Sequence, residues 1–125
     1  MKKVISTKNA PAAIGPYSQA VEVNGTVYAS GQIPIDPSTG EFVEGGIKEQ
    51  TEQVFKNIKA VLSEVGLTMD NIVKTTVLLA DIADFAAMNE VYASQFDGTF
   101  PARSAFAVRD LPKGALVEIE IIAVR

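Results

Sequence analysis

FPARSAFAVRDLPKGALVEIEIIAVR, residues 100–125, reads as two strands joined by a short polar loop. The strands are predicted at about Arg103 to Val108 and Leu116 to Val124, with Asp110 to Gly114 between them. Arg103 opens the first, and Glu118 and Glu120 sit early in the second. Residues two apart on a strand share a face, so the two acids point the same way, about 6.5–7 Å apart at Cα. Val117, Ile119 and Ile121 then point the other way, toward the core. If the two strands pair, Arg103 reaches the face of the acids. A fixed cation and a carboxylate on one sheet can bind a small anion and activate a water beside it.

Upstream, Val4 and Ile5 suggest a short first strand, and Asn9 to Tyr17 (NAPAAIGPY) is an ordered loop punctuated by Pro11, Gly15 and Pro16. Ser18 to Val23 and Thr26 to Ser30 flank Asn24-Gly25, a hairpin signal because both residues tolerate positive φ. Gly31 permits a close backbone approach, to a strand in a bulge or to a ligand. Asp36 to Gly40 (DPSTG) is a turn. From Ile47 the apolar period lengthens to three and four, through Thr51, Val54, Phe55, Ile58, Val61, Leu62 and Val65, which predicts an amphipathic helix ending at Gly66. Glu49, Gln50, Glu52, Gln53, Lys56 and Lys59 fall on its other face. Ile72 to Ala80 is a β-branched strand. Asp81 caps a second helix, roughly Ile82 to Gln95, with Phe85, Met88, Tyr92 and Phe96 on its apolar stripe.

The order β-ββ-α-β-α-ββ predicts one α+β domain over residues 1–125, a single sheet with two helices packed on one face. The other face is left to water or to another subunit, and its Ala, Val, Ile and Leu content favours a subunit.

Composition narrows the chemistry. The 125 residues contain no cysteine, no histidine and no tryptophan, and the formal charge is −4. Disulfides, thiol nucleophiles, Cys/His zinc sites and a Ser-His-Asp triad are excluded. No Lys/Arg cluster suggests phosphate neutralisation, so nucleic acid is disfavoured as a partner. No apolar run approaches the ~20 residues of a membrane helix, and the N-terminus does not read as a secretory signal, so the expected location is cytoplasmic. Asp81 and Asp84 read as helix-terminal charges rather than metal ligands.

An isolated glutamate on a strand is ordinarily solvated surface. Glu118 and Glu120 stand out only because Arg103 is in reach, and the spacing does not choose between them. Arg103 reads equally as an inter-subunit salt bridge or as a bidentate grip on a substrate carboxylate. Lys113 and Arg109 read as surface charges.

The residues resemble the RidA/YjgF family of reactive-intermediate deaminases over essentially the whole chain. The matching stretches are NAPAAIGPYSQAV at 9–21, YASGQIPIDPSTG at 28–40, IVKTTVLLAD at 72–81 and PARSAFAVRDLPKGALVEIEIIAVR at 101–125. The resemblance implies a homotrimer of chorismate-mutase-like fold, with sheets forming a central barrel, helices outside and sites in the clefts between subunits. It implies hydrolysis of 2-imino acids such as 2-iminobutanoate and 2-iminopropanoate to 2-oxo acids and ammonia, without cofactor or metal, as metabolite damage control. By position, Arg103 matches the arginine that grips the substrate carboxylate, and Glu118 the glutamate that handles the water. Tyr17, Ser30 and Gly31 match pocket residues, and Asn89 a further residue near the cleft. Many members carry cysteine where this chain has Ala105; substrate contact there is through the backbone, which alanine retains. The alternative reading is a 2-oxo-acid-binding regulator that uses the same cleft without turnover.

Overall fold

The computed structural model describes residues 1–125. Eight strands and two helices form in the order β1 (Lys3–Ile5), β2 (Ala20–Val23), β3 (Thr26–Gln32), β4 (Ile35–Asp36), β5 (Glu41–Phe42), α1 (Ile47–Glu64), β6 (Ile72–Leu79), α2 (Phe85–Ser94), β7 (Ala102–Ala107) and β8 (Val117–Val124). Six strands make one mixed sheet, in the order β1-β2-β3-β8-β6-β7, and β4 with β5 makes a separate small hairpin around the turn at Asp36 to Gly40. Helices α1 and α2 cover one face, so the architecture is α+β as the alternation of elements predicted.

Local chemistry explains the main breaks. The β2–β3 hairpin turns on Asn24 and Gly25, both at positive φ (51° and 78°), as an Asn-Gly turn requires. At the start of α1, Glu49 Oε1 reaches back to accept from the Gly46 amide at 2.9 Å. The helix ends at Gly66, whose φ of 74° lies in the left-handed region. Gly66→Ala is therefore expected to cost about 1–2 kcal/mol, because a Cβ at that φ meets the following carbonyl. Urea unfolding at fixed protein concentration measures it.

The α1 stripe packs as its period requires: Val54, Phe55, Ile58, Val61 and Leu62 are buried against Val117, Ile119 and Ile121 of β8 and Val77 and Leu79 of β6. Two residues assigned to the solvent side of α1 are instead turned inward. Gln50 and Gln53 are buried along with Asn57. Gln50 Oε1 accepts from the Leu116 amide at 2.9 Å, and Asn57 Nδ2 donates to the Ile33 and Ile35 carbonyls at 3.1 and 3.0 Å. Buried backbone groups need partners, and these amides supply them where the ladder cannot. They also fix the segment following β3, which forms one wall of the site.

The last two strands do not pair as expected; β6 lies between them, parallel to β7 and antiparallel to β8. The connection β6–α2–β7 is a strand–helix–strand crossover, which returns a parallel strand beside the one it left. The second helix also starts later than predicted: Asp81 caps a 3-10 turn, Ile82–Asp84, accepting from the Ala83 amide at 2.9 Å, and α2 follows from Phe85.

The face opposite the helices carries Tyr28, Lys74, Thr76, Phe106, Glu118 and Glu120. Tyr28 is 47% exposed and Phe106 48%, so this face presents large apolar groups that the protomer leaves uncovered.

Candidate functional site

The register fixes where each candidate points. Arg103 stands beside Thr75, and Thr75 beside Ile121, all on the helix-covered face. Glu118 stands beside Leu78, on the opposite face. The expectation that Arg103 reaches the acids' side therefore fails within the chain. With β6 inserted, the side alternation of three strands, rather than two, decides the outcome. The predicted residues fall into two groups.

The first group surrounds Glu118. Between Ala29 and Gln32 the β3–β8 register shifts, so that three steps on β3 match two on β8. The bulge brings Gly31 against the Glu118 side chain. A Cβ placed on Gly31 would lie 2.0 Å from Glu118 Oε2 and 2.8 Å from its Cδ. The close approach foreseen at Gly31 is thus to the acid itself. Ser30 Oγ donates to the Ser18 carbonyl at 2.6 Å, and the Ser30 amide donates to the Gln19 carbonyl at 2.9 Å, which ties β3 to the loop carrying Tyr17. Tyr17 is 54% exposed and lines the same hollow of about 520 Å³ as Ser30, Gly31 and Glu118. Lys113, read from sequence as plain surface, lines it too. No hydrogen bond or ion pair from the protomer restrains the Glu118 carboxyl. Burial, and then the charge of Glu120 on the same face, push its pKa above the usual carboxylate range. A half-buried carboxylate with a raised pKa and free lone pairs suits proton transfer to or from water.

The second group surrounds Arg103. Its guanidinium carbon lies 4.7 Å from the Tyr92 ring centroid and 5.4 Å from that of Phe85. Nη1 donates to Asn89 Oδ1 at 2.6 Å. The Tyr92 hydroxyl is hydrogen-bonded to buried Thr75 at 2.7 Å, so the ring that carries the cation is anchored to β6. No carboxylate in the protomer neutralises Arg103. A guanidinium held by π faces and one amide keeps its remaining donors for a bidentate anion. Arg103 and Asn89 open with Phe100 and Pro101 onto a hollow of about 450 Å³. Ala105 follows on the same side of β7, beside Val77 and packed on the core.

Two aromatic supports, Phe85 and Tyr92, were legible only as the apolar stripe of α2. Their spacing shows that they share a helix face, and nothing in it shows that a cation from β7 arrives there.

The family model described as Endoribonuclease L-PSP matches residues 7–125. The 2-iminobutanoate/2-iminopropanoate deaminase of Mus musculus is 54% identical over 125 residues, which is 100% of this chain and 93% of the mouse protein. Among solved structures, the Rid-family protein YyfA of Yersinia pestis superposes with a TM-score of 0.97 at 60% identity, covering 100% of both chains. E. coli TdcF, solved with bound serine, gives a TM-score of 0.94 at 45% identity over 98% of each chain.

Proposed function

The chain belongs to the endoribonuclease L-PSP family, the RidA/YjgF proteins, and from that premise we propose that it hydrolyses small 2-imino acids to 2-oxo acids and ammonia. The observation that carries the proposal is the unneutralised Arg103 guanidinium, held by Asn89, Tyr92 and Phe85 with its other donors free. Relatives more than half identical over the whole chain bear the name of 2-iminobutanoate/2-iminopropanoate deaminase, and TdcF holds a small amino acid, which carries the same carboxylate.

A complete site needs both groups of residues, and one protomer keeps them on opposite faces. We assign the halves to neighbouring chains of a homotrimer. One protomer supplies Arg103, Asn89 and the Ala105 backbone; the next supplies Tyr17, Ser30, Gly31 and Glu118. A head-to-tail ring closes on as many complete sites as it has chains. It also covers the face bearing Tyr28 and Phe106, as central-barrel packing would. Sedimentation equilibrium tests the assembly.

Catalysis in this arrangement relies on position more than on strong acids or bases. Arg103 fixes the carboxylate, which sets the imine carbon beside Glu118. A protonated imine is already electrophilic. Glu118 accepts a proton from the water as its oxygen bonds to C2 and returns it to the carbinolamine nitrogen; the C–N bond then breaks as C=O forms, and the departing ammonia takes the hydroxyl proton to leave as ammonium. The sum is iminium plus water giving 2-oxo acid plus ammonium. No histidine, thiol or metal is needed for that step. With a formal charge of −4 and no histidine, the same residues are poorly suited to RNA cleavage, despite the description of the matching family model. Pyridoxal-phosphate eliminations would generate the substrate, and we place the protein beside them in the cytoplasm.

The test couples threonine dehydratase to a semicarbazide trap. Added protein is expected to suppress trapped imine; an unchanged signal refutes the enzyme. Saturable 2-oxobutanoate binding with unchanged trapping would instead make the chain a binding protein. The pH profile gives a further expected result. Glu120 raises the Glu118 pKa. Removing that charge in Glu120→Gln makes the Glu118 carboxylate easier to form, so the acid limb of the activity profile moves to lower pH. A neighbour's guanidinium lowers the same pKa without reversing the sign of this change.

A further inference from the structure

Between the paired ends of β1 and β2, Ile5 and Ala20, the chain makes a long excursion that carries Tyr17. Across residues 6–17 of this loop, the backbone makes a single backbone–backbone hydrogen bond, from the Tyr17 amide to the Gly15 carbonyl at 2.9 Å. The Asn9 amide donates to Thr7 Oγ1 at 3.2 Å, and four further backbone groups are gathered by one side chain. Gln19 is 4% exposed. Its Oε1 accepts from the Thr7 amide at 2.7 Å, and its Nε2 donates to the carbonyls of Thr7 at 3.0 Å, Pro11 at 2.8 Å and Ala10 at 3.4 Å. The backbone carbonyl of Gln19 meanwhile accepts from Ser30, one residue from the glycine that cradles Glu118.

We propose that Gln19 is a positioning residue for the imine-hydrolysing site: its carboxamide holds the residue 6–17 loop in the one shape that sets Tyr17 over the Glu118 hollow. This rests on the reading above for its catalytic consequence, and on the hydrogen bonds alone for its structural one. The function needs an amide. A donor and an acceptor are both used, on backbone groups 8 to 12 residues upstream of Gln19. A hydroxyl is too short, and a carboxylate turns an oxygen toward carbonyls where Nε2 now donates.

Gln19→Glu and Gln19→Ala are compared with wild type in the imine-trap assay from about pH 5.5 to about pH 8, alongside amide exchange by mass spectrometry over peptides spanning residues 6–17. Gln19→Ala is expected to lose about ten- to a hundredfold in kcat/KM, because displaced contact groups forfeit orientation. It exchanges faster across the loop, while core peptides stay protected. Gln19→Glu behaves like Gln19→Ala at neutral pH and recovers toward wild type on acidification, as its carboxyl gains the proton that can be donated to Pro11. Gln19→Ala shows no such recovery. Wild-type kcat/KM and exchange in Gln19→Ala overturn the proposal. So does a loss that tracks the melting temperature and spreads to the core, with no recovery of Gln19→Glu at low pH. If wild type itself fails to suppress trapping, the imine reading falls, and loop exchange alone still decides whether Gln19 holds the loop.

Discussion

Mixed in equal amounts, unfolded and reassembled, Arg103→Ala and Glu118→Gln chains are expected to regain about one quarter of wild-type imine hydrolysis by independent draw around a closed ring. Each variant alone is expected to retain about a thirtieth or less. Truncating Arg103 removes a charge-assisted bidentate contact, a loss on the order of 2–5 kcal/mol, and the carboxylate then no longer fixes the imine beside the acid. Glu118→Gln keeps the shape of the site and removes the proton acceptor. In the mixture, a site is whole when its guanidinium comes from a Glu118→Gln chain and its carboxylate from an Arg103→Ala chain. Were both groups drawn from one protomer, no mixed site could be whole and recovery would be nil. The trap assay on the reassembled mixture, with each variant reassembled alone as control, separates these outcomes. Arg103→Lys keeps the charge, loses the fork and the stacking plane, and is expected to raise KM by about tenfold with little change in kcat, the mark of lost uniform binding.

Gly31→Ala is the second large effect. The added methyl would sit 2.0 Å from Glu118 Oε2, a separation that cannot persist. The atom in the way is the end of a flexible side chain, so the carboxylate yields rather than the backbone. Stability is expected to change by less than about 1 kcal/mol, whereas kcat is expected to fall about ten- to a hundredfold as the acid leaves its place. Coupling provides the check. In a Glu118→Ala background the collision has nothing to collide with, and Gly31→Ala should then be nearly silent in both melting and residual activity. A double-mutant cycle on the two positions measures this, and additive effects would place the harm elsewhere.

Much of the scaffold was legible because it is written locally. The α1 stripe from Val54 to Leu62, the Asn24-Gly25 turn and the Gly66 stop each depend on neighbours within a turn or two. The shared face of Glu118 and Glu120 followed from strand alternation alone. What escaped depends on partners far along the chain. The insertion of β6 between β7 and β8 reversed the side expected for Arg103, and no residue in 100–125 carries that information. A hint lay in the strand–helix–strand order of 72–107, which implies a parallel pair. Gln50 and Gln53 escaped for a similar reason: an amide on a helix looks like surface until an unpaired carbonyl or amide from another element arrives beside it. The resemblance named the candidate residues as one set, whereas the folded sheet divides them between two faces.

That division has a consequence for dosage. In the proposed trimer a lone chain would own a grip without a blade, so specific activity should decline on dilution as the ring falls apart, well before any chain unfolds. In that proposed ring a damaged copy would likewise spoil work shared with healthy neighbours, since a defect on one side of a subunit would be borne at a seam held in common with another.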